Sequence, residues 1–426
     1  MNESYLLDYL KNNNLVDKTK LDLLKYELDQ RIYYYGGHFK YSKESEIIRS
    51  KTLKWRLKYF LKDLYTFYLL SKRFKKCSGK TVVSNAYFSI NEKLKDLGLN
   101  VLRPMHSLVA SKQTVGNFQI IKEFIQIDRK IRNSNFNELL SDNFLKKLDV
   151  FINNLTEYYK SINVDALIVP NDISFFEQLN IQIFKKLNKP SFIFLHGLPG
   201  RYNIYDENQT DYLIVWGKKI KQNYIKVGFN PDKILVSGHP FYNRLPDTQL
   251  RNSLDDILIM SKSLNGAQHR DGVRIVDRGG LIVYLNQVAS VLKKMGVKNV
   301  RLRVHPSENI NWYYKFIDCD FFIEDKELLQ NSLKQATMVI GPTSTVFLES
   351  IYYGVNYLVY EPISDNVDFS GYPLISPFDG RDPKVLIANT EDDLKRLLEK
   401  KAVVDKTVFN DYIDTPFSLE EVTKRI

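Results

Sequence analysis

His305 and Pro306 close a short alternation in which Val300, Leu302 and Val304 face one way and Arg301 and Arg303 the other. That period of two predicts a strand. Pro306 has no N–H to continue a ladder, so the strand stops there. His305 is thereby presented at a strand's carboxyl end, where open α/β sheets bind ligands. An imidazole in that place bonds a phosphate oxygen and stabilises charge on a leaving group; a loop histidine without a role looks the same in sequence. Further on, "IGPTSTVFLES" (340–350) ends a strand at Gly341 and Pro342 and opens a helix with Thr343, Ser344 and Thr345. Glu349 lies one turn inside. Hydroxyls and free amides at a helix start make an anion site, and equally an ordinary N-cap. One strand and one helix separate the two stretches, which puts both loops on the same sheet edge, where one phosphate meets both.

Two stretches of the first half complete the set. In "FLHGLPGRYN" (194–203), His196 follows an apolar strand, Gly197 and Gly200 admit close backbone approach, and Arg201 adds charge. His196 is expected to face His305 across a cleft. In "VPNDISFFEQLN" (169–180), Asp172 sits at a strand end and Glu177 on the following helix. Either carboxylate suits a general base for an acceptor hydroxyl, and Asp172 suits an N-cap equally. Asn171 and Arg201 are assigned to the acceptor side. Ser261 and Lys262, in "LIMSKS", end another strand within reach of nucleotide phosphates. The second His-Pro, His239-Pro240, closes the first half and reads as a hinge and cleft wall. There is no G-x-x-x-x-G-K-[ST] phosphate loop and no D-x-D at a strand end; no metal site and no bound cofactor are expected.

These residues need elements to hold them. Residues 80–104 read as strand, helix, Gly98 stop and strand, one βαβ unit. Two helices cover 117–160. Apolar runs at 164–170, 189–197, 211–217 and 232–240 alternate with helices at 174–187 and 218–227, the pattern of buried parallel strands. The polar segment 241–255, with Pro246, marks the break between halves. A second series follows. Strands are expected at 256–261, 300–305, 318–324, 337–342 and 355–362, with helices at 281–295, 326–336 and 344–354. The tail from 391 is mostly helical. The expected fold class is α/β, with two doubly wound halves facing across a cleft. Their bounds are 1–76 for a helical basic N-terminal extension, 77–245 and 246–400 for the two Rossmann-like domains, and 401–426 for a C-terminal helix returning to the first.

The chain has 426 residues, 44% hydrophobic and 26% charged, which suits a globular protein of two or three domains. Its two cysteines, Cys77 and Cys319, make neither a metal spacing nor a disulfide framework, in keeping with a reducing cytoplasm. No secretory signal and no transmembrane stretch is read from the sequence. The net charge of +11 points to an acidic partner. Residues 50–76 concentrate it: nine Lys or Arg stand against Asp63, with Leu53, Trp55, Leu57, Phe60, Leu61, Leu64, Phe67 and Tyr68 between them. That composition fits a helix lying on anionic lipid, and fits an amphipathic helix packing its stripe on the core.

"RVHPSEN" followed by "GPTSTVFLES" resembles the paired motifs of bacterial sialyltransferases and Kdo transferases. "KPSFIFLHGLPG" and the run 211–245 are similar to the wider group of capsule and teichoic-acid transferases, including CDP-glycerol glycerophosphotransferases. The resemblance covers residues 160–362 and implies the GT-B fold and a glycosyltransferase using a CMP-activated acidic sugar without metal. It implies donor contacts from His305, Pro306, Ser344 and Thr345, and a base at His196, Asp172 or Glu177. Two departures stand beside it: no acidic-acidic-Gly base motif and no "DYSS"-like pattern. The expected partners are a nucleotide-sugar donor, a glycan or glycolipid acceptor and an anionic membrane surface, not nucleic acid. The expected place is the cytoplasm or the inner membrane face. A UDP-sugar transferase or a CDP-glycerol or ribitol phosphotransferase keeps the same fold, as does a UDP-HexNAc 2-epimerase-like enzyme; a non-catalytic capsule assembly factor is the reading from another class.

Overall fold

The computed structural model describes residues 5–29, 31, 53–70, 78–87, 89–106, 117–203, 207–242, 244, 247, 249–262, 268–269, 272–273, 279–306, 308–362 and 374–426. Of the Lys and Arg counted over 50–76, Lys51, Lys72, Arg73, Lys75 and Lys76 lie outside them, as do Cys77 and Pro246.

Six strands form the first sheet: β1 (Thr81–Ser84), β2 (Asn100–Leu102), β3 (Ala166–Val169), β4 (Ser191–Phe194), β5 (Tyr212–Val215) and β6 (Ile234–Val236). They pair in the order β2-β1-β3-β4-β5-β6, all parallel. β1, β3 and β4 are buried along their whole length, which is why their sequences are unbroken apolar runs rather than alternations. The second sheet holds β7 (Ile257–Met260), β10 (Val300–Arg303), β11 (Phe322–Glu324), β12 (Met338–Gly341), β13 (Tyr357–Tyr360) and β14 (Ile387–Ala388) in the order β11-β10-β7-β12-β13-β14, again parallel. Two short strands, β8 (Gln268–His269) and β9 (Gly272–Val273), pair antiparallel in a separate sheet. Only β10 alternates, and its outward arginines explain the pattern. Arg301 forks onto Asp256 at 2.7 and 2.8 Å, and Arg303 reaches Asp325 at 3.4 Å.

Two doubly wound parallel sheets are therefore present, as the strand and helix pattern implied. In each, the strand order reverses beside the first strand of the unit. The reversal falls between β1 and β3 in one sheet and between β7 and β12 in the other. Such a reversal splays the loops at the carboxyl edge and opens a crevice.

Three segments differ from the sequence reading. "DCD" (318–320) does not begin a strand: Asp318 Oδ1 accepts from the amides of Asp320 and Phe321 and makes a turn, and β11 starts at Phe322. The N-terminal segment is not one appendage. Leu7, Leu21, Leu24 and Leu28 lie in the same buried cluster as the first sheet. The buried Arg31 bonds Glu27 and the carbonyls of Ile131 and Ser134. Among the described residues of this segment, only the helix Leu53–Leu70 keeps a long apolar face outside that core. The tail is three short helices, Glu391–Glu399, Val408–Tyr412 and Glu420–Arg425. It returns to the first sheet, where the Asp414 amide donates to the Trp216 carbonyl at 2.9 Å and the Ser418 amide to the Ser237 carbonyl at 2.8 Å. Gly217 permits that crossing, since a Cβ there would lie 2.4 Å from the Tyr412 carbonyl oxygen.

Candidate functional site

In the second half, Ser261 and Lys262 leave the end of β7. Ser261 is buried, and its Oγ accepts from the His305 amide at 2.9 Å, so it fixes the turn that presents His305 beyond β10. His305 is exposed with Pro306 beside it. Partial burial pulls its pKa below the ordinary value, and Glu308 partly offsets this. Lys262 crosses the strand reversal. Its Nζ lies 3.1 Å from Glu361 Oε1 and 3.4 Å from Thr343 Oγ1.

Glu361 changes the reading of the "GPTST" loop. It is fully buried, and its Oε1 also accepts from the Thr343 amide at 2.7 Å. An internal carboxylate thus holds the ammonium and amide that the sequence offered to a phosphate. Its other oxygen, Oε2, has no protein partner among the described residues. Nor does the loop cap a long helix. The helix Val346–Tyr352 has seven residues, and Thr345 at its start makes no side-chain cap bond. Ser344 Oγ instead accepts from the Val346 amide at 3.2 Å. Glu349 is half-buried among Tyr242, Tyr352 and Tyr353, and burial pushes its carboxyl up to about 7.

Thr345 faces the other half. Its Oγ1 accepts from the Leu198 amide at 2.8 Å. Gly197 is seated against the same oxygen, and a Cβ there would approach it to 2.9 Å. The loop after β4 therefore touches the loop after β12. His196, one residue before, is exposed beside the Tyr87 ring at 5.6 Å, near the Pro170 carbonyl. Desolvation lowers the His196 pKa more than the nearby Pro170 carbonyl raises it, which favours the neutral form.

The two candidate bases of the first half are placed differently. Asp172 is buried, and its Oδ2 accepts from the Gln209 amide at 2.9 Å; its backbone carbonyl is bonded by Gln178. It ties the 207–210 loop to the end of β3. It does not cap the next helix, because Asn171 Oδ1 takes the amides of Ile173 and Ser174 at 3.1 and 3.0 Å. Asn171, expected on the acceptor, is engaged in that turn. Arg201 is half-buried in the loop beyond Gly200. Glu177 points to the strand reversal. Its Oε1 lies 3.1 Å from His106 Nε2 and 3.0 Å from Asn85 Nδ2. Burial alone would raise its pKa, but the contacts with His106 and Asn85 outweigh that and hold it below the ordinary carboxylate range. His106 stacks on Phe176 at 5.2 Å. Asn85 Oδ1 is buried without a protein partner among the described residues.

His106, Asn85 and Glu361 were not singled out in sequence. Each follows a strand end, β2, β1 and β13, so the rule that found His305 finds them too. Their partners come from other strands, and no spacing in the chain announces that. Among the described residues no three His, Cys, Asp or Glu side chains gather to hold a metal, and no helix is long and apolar enough to cross a membrane.

No protein-family model matches the sequence, and no curated protein matches it. Solved structures do. The UDP complex of MnaA from S. aureus is matched over 80% of this chain and 93% of its own at 12% identity, with a TM-score of 0.47. UDP-GlcNAc 2-epimerase from Neisseria meningitidis, bound to UDP-GlcNAc, is matched over 81% and 98% at 12% identity and 0.44. MurG from Acinetobacter baumannii is matched over 81% and 98% at 13% identity and 0.44.

Proposed function

We propose that the chain is a nucleotide-sugar-dependent glycosyltransferase of GT-B type, with the donor against the second sheet and the acceptor against the first. The observation that carries this is a continuous run of contacts along both carboxyl edges. His305 is bonded to Ser261, Lys262 next to it reaches Thr343, and Thr345 is bonded to Leu198, two residues from His196. Both strand reversals open onto that line.

In this reading Lys262, Ser344 and Thr345 supply donors to the donor phosphate, with Ser261 and Pro306 shaping the turn. A neutral His305 bonds the phosphate oxygen that gains charge as the glycosidic bond breaks. Glu361, fully buried, holds Lys262 and the Thr343 amide in place from beneath the loop. His196, neutral and exposed, is the base nearest the donor loop. Glu177 orients His106: with Nε2–H committed to the carboxylate, the imidazole presents Nδ1 as a second acceptor. Asp172 is given a structural role by its burial and its bond to Gln209. The finer assignment of the donor, a CMP-linked acidic sugar used without metal, is supported by the "RVHPSEN" and "GPTSTVFLES" stretches and the basic net charge. The acceptor is a bacterial surface glycan or its lipid-linked precursor.

The test is release of free nucleotide from CMP-Kdo, CMP-sialic acid and UDP-GlcNAc in EDTA and in magnesium. Release of CMP in EDTA, lost in His196→Gln, supports the assignment. Turnover of UDP-GlcNAc alone overturns the CMP assignment, and turnover of none overturns the enzymatic reading.

A further inference from the structure

The helix Leu53–Leu70 turns its apolar side away from the protein. Leu53, Leu57, Phe60, Leu61, Leu64 and Tyr68 are each more than half exposed. Their spacing of three and four places them in one stripe about 100° wide at 3.6 residues per turn. The helix docks through a flank beside the stripe, where Asp63 pairs with Arg129 of the helix Phe118–Asn133. Leaving six large apolar side chains in water costs the hydrophobic stabilisation that burial would give them, so the stripe calls for an occupant.

Charge selects the occupant. Arg56 borders the stripe on one side, and Lys54 and Lys58 border it on the other, all exposed. With Lys62 the helix carries four cations against one carboxylate, and that carboxylate is the one held by Arg129. A second copy of this face would bring like charges together. An anionic bilayer satisfies both features, because acyl chains take the stripe while lipid phosphates meet the bordering ammonium and guanidinium groups. The helix has 18 residues and does not qualify as a membrane span, so it lies along the surface.

We propose that this helix is a peripheral docking surface for an anionic lipid bilayer. The inference stands on exposure, spacing and charge and does not depend on the chemistry of the cleft.

Full-length protein is floated with vesicles of phosphatidylcholine alone and with vesicles containing 30% phosphatidylglycerol. The protein is expected to float with the anionic vesicles at least tenfold more than with the neutral ones, and high salt weakens this. Leu57→Glu with Leu61→Glu is expected to abolish flotation. Lys54→Glu with Lys58→Glu is expected to remove the preference for anionic lipid. Both pairs are exposed, so melting temperatures are expected to match the parent, which separates lost binding from lost folding. Absence of flotation by the parent, or flotation that neither variant changes, overturns the proposal. A lipid-free dimer that the leucine variant converts to monomer also overturns it, since the stripe is then a subunit interface.

Discussion

His305 is presented as an exposed ring by a turn that its backbone, not its side chain, fastens. The His305 amide donates to Ser261 Oγ, so removing the imidazole leaves the turn intact. His305→Ala is therefore expected to lower kcat about 100-fold, the usual loss for one donor to a developing negative charge, with the melting temperature unchanged. Steady-state kinetics on the donor found in the release assay, with a thermal melt alongside, checks both halves. An unchanged kcat removes His305 from the mechanism. Glu349 shows a different outcome for a sequence candidate. Tyrosines of both halves surround it, and near pH 7 its carboxyl is partly protonated. Its half-buried place makes it a donor or acceptor at the join of the two halves rather than a fixed anion.

At the scale of elements, the strand-end loops were legible and their mutual contacts were not. Unbroken apolar runs gave β3, β4, β5 and β7, and Pro306 and Gly341 gave two strand ends, because local physics sets these. The "GPTST" loop shows the limit. A Ser/Thr run before an apolar helix reads as a cap, yet Thr345 spends its oxygen on Leu198 and Thr343 its amide on Glu361. Those partners are 147 and 18 residues away. Tertiary contact overrode a local preference. The Leu198–Thr345 bond is a direct link between the two loops, and it gives a coupled test. Gly197→Ala pushes a methyl against Thr345 Oγ1, and Thr345→Val removes the acceptor. Each is expected to cost about 1 kcal/mol of this bond and to lower donor affinity severalfold. The double variant is expected to cost no more than the larger single, since both break one interaction. Additive losses in a titration with nucleotide show that the loops are not linked through this bond.

The whole molecule is held by the join that the sequence read as a hinge. His239 is buried, stands edge-on to Trp216 at 4.5 Å, stacks on Tyr242 at 4.2 Å and accepts the Phe241 amide on Nδ1. Tyr242 packs in turn on Tyr352 and Phe409 of the second half and the tail. Desolvation lowers the His239 pKa from 6.5 to about 3. The folded state therefore binds a proton less readily than the unfolded chain. Its contribution to stability is complete above pH 6.5 and is lost as the pH falls toward 3. The full linkage is on the order of 5 kcal/mol. His239→Asn keeps an acceptor for the Phe241 amide and is expected to lose less stability between pH 7 and pH 4 than the parent, as read from urea midpoints. Equal losses place the acid sensitivity elsewhere. The two parallel sheets were legible as a series of apolar runs. The share of the N-terminal helices in the first core was not, because the periodicity of Leu21, Leu24 and Leu28 shows a buried face without saying against what.

The proposed function requires a nucleotide bound between the sheets. Thermal melting of the parent and of Thr345→Val with CMP, CDP, UMP, UDP and GDP, each with and without magnesium, reads this directly. A rise in melting temperature with CMP in EDTA, reduced in Thr345→Val, is the result expected. Stabilisation by UDP alone would move the donor to another class, and no response to any nucleotide would contradict the cleft as a nucleotide-sugar site.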